Sequence, residues 1–76
     1  MRRPNEGLPR YTWDQALMLN LFSAASFAAI GVKAGTVRKW ASEGTLTRVG
    51  VGPNGVVLYH YEQVAEIATR RLRRVA

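Results

Sequence analysis

At 76 residues the chain is a single domain, close to the size below which a core needs disulfides, metals or partners to hold together. A hydrophobic fraction of 47% excludes a disordered basic tail, and the lack of cysteine excludes a disulfide framework, a cysteine-based zinc site and thiol catalysis. With 11 Lys and Arg against 5 Asp and Glu, the formal net charge is +6, which points to a polyanionic partner, nucleic acid before anionic membrane.

The first stretch, MRRPNEGLPR, is rich in Pro, Gly and charge and has no apolar period. It reads as a flexible arm over residues 1–11. Thr12 followed three residues later by Gln15 is a capping box, with Trp13 and Leu17 on one face, and predicts a first helix from about Trp13 to Asn20. Trp13 is expected in the core. The apolar run Ala16 to Val32 has the flanking arginines of a signal peptide. Glu6 and Asp14 before it, and Asn20, Ser23 and Ser26 within it, argue against insertion, and it is short for a span.

Ser23 is placed to cap a second helix over AASFAAI, with Phe27 and Ile30 pointing inward and Gly31 ending it in a left-handed conformation. A third helix starts near Lys33 or Ala34 and runs to Gly44. Val37 and Trp40, three apart, share its inner face with Ala41, which turns Arg38 and Lys39 outward. Trp40 is therefore read as core rather than as a stacking platform.

From Thr45 the period changes to that of strands. TLTRVGV and VVLYHY are joined by GPNG, where Pro53 and Asn54 suit the centre of a type I turn and Gly55 the left-handed position after it. The last segment, EQVAEIATRRLRR, sets Val64, Ile67, Ala68 and Leu72 on one stripe, with acids early and arginines late.

The order is helix, helix, tight turn, helix, hairpin, helix. This is a mainly α fold with a β-hairpin wing, the plan of a winged helix-turn-helix over residues 12–74, and it puts the helix after Gly31 where a major-groove reader lies. On that plan the cations face DNA while Val37 and Trp40 fasten the reader to the core.

Gly31, Val32, Thr36, Val37, Arg38 and Trp40, then Glu43, Gly44 and Leu46, and finally Gly55, Tyr59 and Val64, resemble the small winged helix-turn-helix proteins of the MerR-like type, especially phage excisionases. The likeness spans roughly Leu21 to Ala68. It implies that Thr36, Arg38 and Lys39 touch double-stranded DNA from the reader helix and that Arg48, on the first wing strand, meets a backbone phosphate. It also implies architectural work, in which the protein binds several neighbouring sites, bends the DNA and biases a phage integrase towards excision. A bacterial cytoplasm, at the nucleoid, is the matching location.

The chain departs from the family pattern in two places. Lys33 stands where relatives offer a capping Ser or Thr, which weakens the cap and is explained by a nearby phosphate. Val56, Val57 and Leu58 stand where relatives carry basic residues. Because a strand buries one face only, some of Val49, Val51, Val56, Val57 and Leu58 are expected to be exposed, predicting a wing that self-associates into a homo-oligomer and grips DNA weakly.

Arg70, Arg71, Arg73 and Arg74 are read either as a solvated helix end or as contacts to flanking phosphates or an acidic partner surface, and Arg2, Arg3 and Arg10 either as solvated charges or as an arm entering a minor groove. His60, the only histidine, would need Ser23, Ser26 or Ser42 and an acid such as Asp14 to do chemistry, and no such motif is present. No enzyme, cofactor or metal site is therefore expected. Two other readings stay open: a small transcriptional regulator and a basic protein-interaction module.

Overall fold

The computed structural model describes the backbone of residues 7–72 and the side chains of residues 7–71. Arg2, Arg3, Arg73 and Arg74, the side chain of Leu72 and the outer ends of the predicted arm and domain lie outside the described residues.

The described residues form a small α/β domain of four helices and a three-stranded antiparallel sheet. Helix α1, Trp13–Met18, opens with the predicted capping box: the Thr12 hydroxyl accepts from the Gln15 amide at 3.1 Å, and the Gln15 side chain accepts from the Thr12 amide at 2.9 Å. Trp13, expected in the core, is instead 52% exposed, because only one side of its ring meets the hairpin, at Gly52. The helix ends as Asn20 turns left-handed, at φ 58°. That reversal launches a strand the sequence does not predict, β1, Leu21–Ser23.

After β1 comes a 3-10 helix, Ala24–Ile30, in place of the expected α-helix. Ser23 makes no side-chain cap; its hydroxyl instead lies 3.2 Å from that of Ser26. With about three residues per turn, Ala24, Phe27 and Ile30 align on one side. Ala24 and Phe27 are buried, but Ile30 stays 40% exposed, at a rim it shares with Phe22 and Tyr61. Gly31 takes the predicted left-handed conformation at φ 85°, and helix α2 follows at Ala34–Ser42.

Strands β2, Gly50–Val51, and β3, Val57–His60, form the hairpin. The Gly55 amide donates to the Gly52 carbonyl at 3.0 Å across Pro53 and Asn54, and Gly55 is left-handed at φ 81°, as the GPNG sequence requires. The sheet order is β1-β3-β2, with Phe22 opposite Tyr59 and Val51 opposite Val57. Helix α3, Tyr61–Leu72, follows directly.

Adjacent residues of a strand point to opposite faces, and here both faces are used. Tyr59 joins Phe27, Val32, Val37, Trp40, Leu46, Val64 and Ile67 in the main cluster. Leu58 joins Ala16 and Leu21 in a second cluster, covered by Tyr11, Val49 and Val56. The predicted exposed wing is therefore corrected: Val51 and Leu58 are buried, and Val49, Val56 and Val57 are half-buried, because α1 and Tyr11 cover the face that the main cluster does not.

The arm boundary shifts for the same reason. The Tyr11 amide donates to the Val51 carbonyl at 2.9 Å, the Val51 amide donates to the Pro9 carbonyl at 2.8 Å, and Arg10 bridges Val51 in parallel. Residues 9–11 thus close the outer edge of β2 rather than belonging to a free arm.

Candidate nucleic-acid interface

Helix α2 carries the candidate surface, and its sequence decides what it shows. At about 100° per residue, Val37, Trp40 and Ala41 fall within one sector, and all three are buried. Arg38 lies about 100° from Val37, and Lys39 roughly opposite it. Both are exposed, so the fastening of the tryptophan side and the outward turn of the cations are both present.

Arg38 does not stand alone. With Ser42, one turn later on the same flank, it lines a cleft of about 400 Å³ whose other walls are the start of the 3-10 helix and the hairpin. The hairpin contributes Val57 and Tyr59, the loop leading into β2 contributes Arg48, which is thus not on the first hairpin strand as expected, and the 3-10 side contributes Ser23 and Ala25. The structure thus brings together two arginines separated by ten positions in sequence, around two serine hydroxyls and an apolar floor. Sequence reasoning does not mark Ser23 or Ser42 as a binding residue; the i, i+4 relation of Ser42 to Arg38 is the available signal.

The other predicted residues are distributed around this cleft or away from it. Lys33 is exposed at the N-cap of α2 and makes no side-chain cap, as its chemistry predicts. Thr36 is half-buried on the flank of α2 opposite Arg38, so the two do not form one contiguous contact. His60, at the end of β3, accepts from the Glu62 amide through Nδ1 at 3.3 Å and so caps the start of α3.

Arg70 and Arg71 separate from the group. Arg70 pairs with Glu66 one turn earlier at 3.3 Å, both side chains largely in solvent. Arg71 reaches Glu43 at 3.5 Å and donates to the Thr45 hydroxyl at 3.3 Å, with its guanidinium 5.9 Å from the centre of the Trp40 ring. Its side chain is engaged on the tryptophan side of α2, away from Arg38.

This division sets the local charge. Among the described residues, Glu43 and Glu66 are matched by the arginines of α3, whereas Lys33, Arg38, Lys39 and Arg48 have no carboxylate partner. Among the described residues, too, no acidic side chain lines the Arg38–Arg48 cleft. An anion with oxygens able to accept from two guanidinium groups and two hydroxyls fits that chemistry.

Among the described residues no group of three His, Cys, Asp or Glu side chains gathers as a metal site would need, and no helix is long and apolar enough to cross a membrane. Comparison with protein families, curated proteins and solved structures finds no match to this chain.

Proposed function

We propose that the chain is a double-stranded-DNA-binding protein of the winged helix-turn-helix type, with α2 as the major-groove reader. The observation that carries this reading is that Arg38 on α2 and Arg48, just before β2, line one cleft that no acid among the described residues enters, while Val37 and Trp40 hold α2 to the core. Arg38 reads a base edge, a guanine being the best geometric match for its fork, and Lys39 stands beside it. Arg48 and Lys33 hold backbone phosphates on either side and set the register of the helix. The hairpin, whose apolar side chains are spent inside the fold, adds a phosphate contact and little else.

Following the likeness to phage excisionases, the output is architectural: several copies on neighbouring sites, bent DNA, and an integrase directed towards excision at the bacterial nucleoid. The test is a footprint on the DNA flanking the protein's own gene, repeated at rising salt. Direct repeats protected cooperatively, with affinity falling by orders of magnitude between low and physiological salt, support the architectural reading. A single protected palindrome assigns the protein to transcriptional regulation, and no protection with weak salt response assigns it to protein docking.

A further inference from the structure

Residues 9–11 close the outer edge of β2, and the way they do so decides where Arg10 points. The Tyr11 amide donates to the Val51 carbonyl and the Val51 amide to the Pro9 carbonyl, which pairs Arg10 with Val51 in parallel. Residues paired across strands share a face, and successive residues alternate. Tyr11 packs on the Leu58 cluster on one face of the sheet, so Arg10 stands on the other. Val51 pairs in turn with Val57, which lines the Arg38–Arg48 cleft. Arg10, Val51 and Val57 thus make a row across the sheet, with the cleft at one end and an exposed arginine at the other.

A bulge brings Arg48 to the same face. The Val49 amide donates to the Leu58 carbonyl at 2.9 Å, yet Leu58 is the residue opposite Gly50. Both residues stand against Leu58 and both take its side: Val49 packs on the Leu58 cluster, and a Cβ at Gly50 would meet the Tyr11 ring there. The alternation slips by one residue, so Arg48 falls on the face of Val51 and Val57, where it lines the cleft. Strict alternation would turn it away.

We infer that the docked arm completes the DNA-binding face: Arg10 is a phosphate contact, presented alongside Arg48 by the pairing of residues 9–11 with β2, and arm docking and DNA binding are thermodynamically linked. This role rests on the DNA-binding reading above and adds to it a residue and a segment which that reading does not use. Neighbouring strands lie about 4.8 Å apart, which sets Arg10 about 10 Å from Val57 across the sheet. A DNA strand offers one phosphate for every ~3.4 Å of helix axis, so a backbone held at the cleft carries further phosphates past Arg10. Docking already fixes the backbone of Arg10, and the contact then costs only the ordering of its side chain. Because DNA meets Arg10 in this position only while the arm is docked, binding must in return strengthen the docking.

Salt-dependent binding of the full chain to a mixed-sequence DNA duplex tests this. Arg10→Gln should lower the slope of log affinity against log salt by about one. Arg70→Gln, which removes an equal charge already paired with Glu66, should leave the slope unchanged. The Val51 amide should exchange its hydrogen more slowly in the complex than in the free protein. In a chain whose arm is released by Gly50→Ala together with Tyr11→Pro, which removes the amide that donates to Val51, Arg10→Gln should have no further effect. Arg10 is exposed, and an unchanged thermal melt of Arg10→Gln separates a lost contact from lost folding.

A wild-type slope for Arg10→Gln beside a lowered slope for Arg48→Ala overturns the role of Arg10 and leaves the DNA-binding reading standing. An equal loss from Arg70→Gln overturns it as well, by reducing the effect to net charge. So does an Arg10→Gln effect that persists in full once the arm is released, which would make Arg10 a contact of a free arm. Val51 exchange that DNA leaves unchanged overturns the linkage. A wild-type chain whose affinity for duplex hardly responds to salt removes the DNA-binding reading itself, and the role of Arg10 with it.

Discussion

The guanidinium of Arg71 lies 5.9 Å from the centre of the Trp40 ring while its Nη1 stands 3.5 Å from a Glu43 carboxylate oxygen. The end of α3 is thereby braced against the end of α2, although the two are far apart in sequence. Arg71 thus positions α2 against α3. Arg71→Ala should cost about 1 kcal/mol, the usual size of a partly exposed cation–π contact with a screened ion pair, and lower the melting temperature by roughly 4–8 °C. DNA affinity should fall while the salt slope stays as in the wild type. Arg71→Lys should recover little of the lost stability, since an ammonium cannot stack flat on the indole and fork to Glu43 and Thr45 together.

If the proposed DNA-binding role holds, Lys33, Arg38 and Arg48 divide the labour. Arg38→Ala should flatten the preference between the best and next-best DNA sites by about 1–3 kcal/mol, because a bidentate base contact discriminates where a phosphate contact does not. Lys33→Ala and Arg48→Ala should weaken every sequence alike and each lower the salt slope by about one. Competition binding on matched and mismatched duplexes at several salt concentrations measures both quantities. Equal behaviour of all three variants would remove α2 from the base edges.

Much of this arrangement is legible in the residues themselves, and the part that is not has a physical cause. The Thr12–Gln15 capping box, the Gly31 stop, the buried side of α2 and the GPNG hairpin each depend on residues within a few positions of one another. Strand β1 does not: Leu21–Ser23 becomes a strand only because β3, far later in the chain, offers it hydrogen bonds. Inside an apolar run with helical spacing, nothing local marks it. The same strand explains why the hairpin is covered, since β1 positions α1 over Leu58. Arg48 is legible as a cation, but its sharing a cleft with Arg38 follows from the packing of both α2 and β3 against the 3-10 helix.

The docked arm can be released by one methyl group. A Cβ at Gly50 would drive into the Tyr11 ring and the Pro9 carbonyl, so Gly50→Ala forces one of them to move. Overpacking of this kind costs about 1–3 kcal/mol, and residues 9–11, held mainly by the Val51 pairing and Tyr11, are the part free to yield. The Val51 amide, which donates to Pro9, should exchange its hydrogen faster in the variant, while the amides of α2 keep their protection. Uniform loss of protection would mean that the arm is integral to global folding and not a docked edge.

Gly31 sets the angle between the 3-10 helix and α2, and its φ of 85° makes it the most sensitive point of that turn. Its surroundings are open: a Cβ at this position would have no neighbour within 4 Å, so an alanine there meets no steric obstacle except its own backbone. Gly31→Ala should therefore destabilise by about 1–2 kcal/mol, the cost of a left-handed L-residue, without a cavity or clash. Asn, which tolerates that region better, should recover part of the loss, whereas Val, branched at Cβ, should do worse than Ala. Chemical denaturation of the three variants gives the ranking. If Ala proves neutral, the turn accommodates a right-handed residue and the spacing between Phe27 and Val37 is held by the core alone.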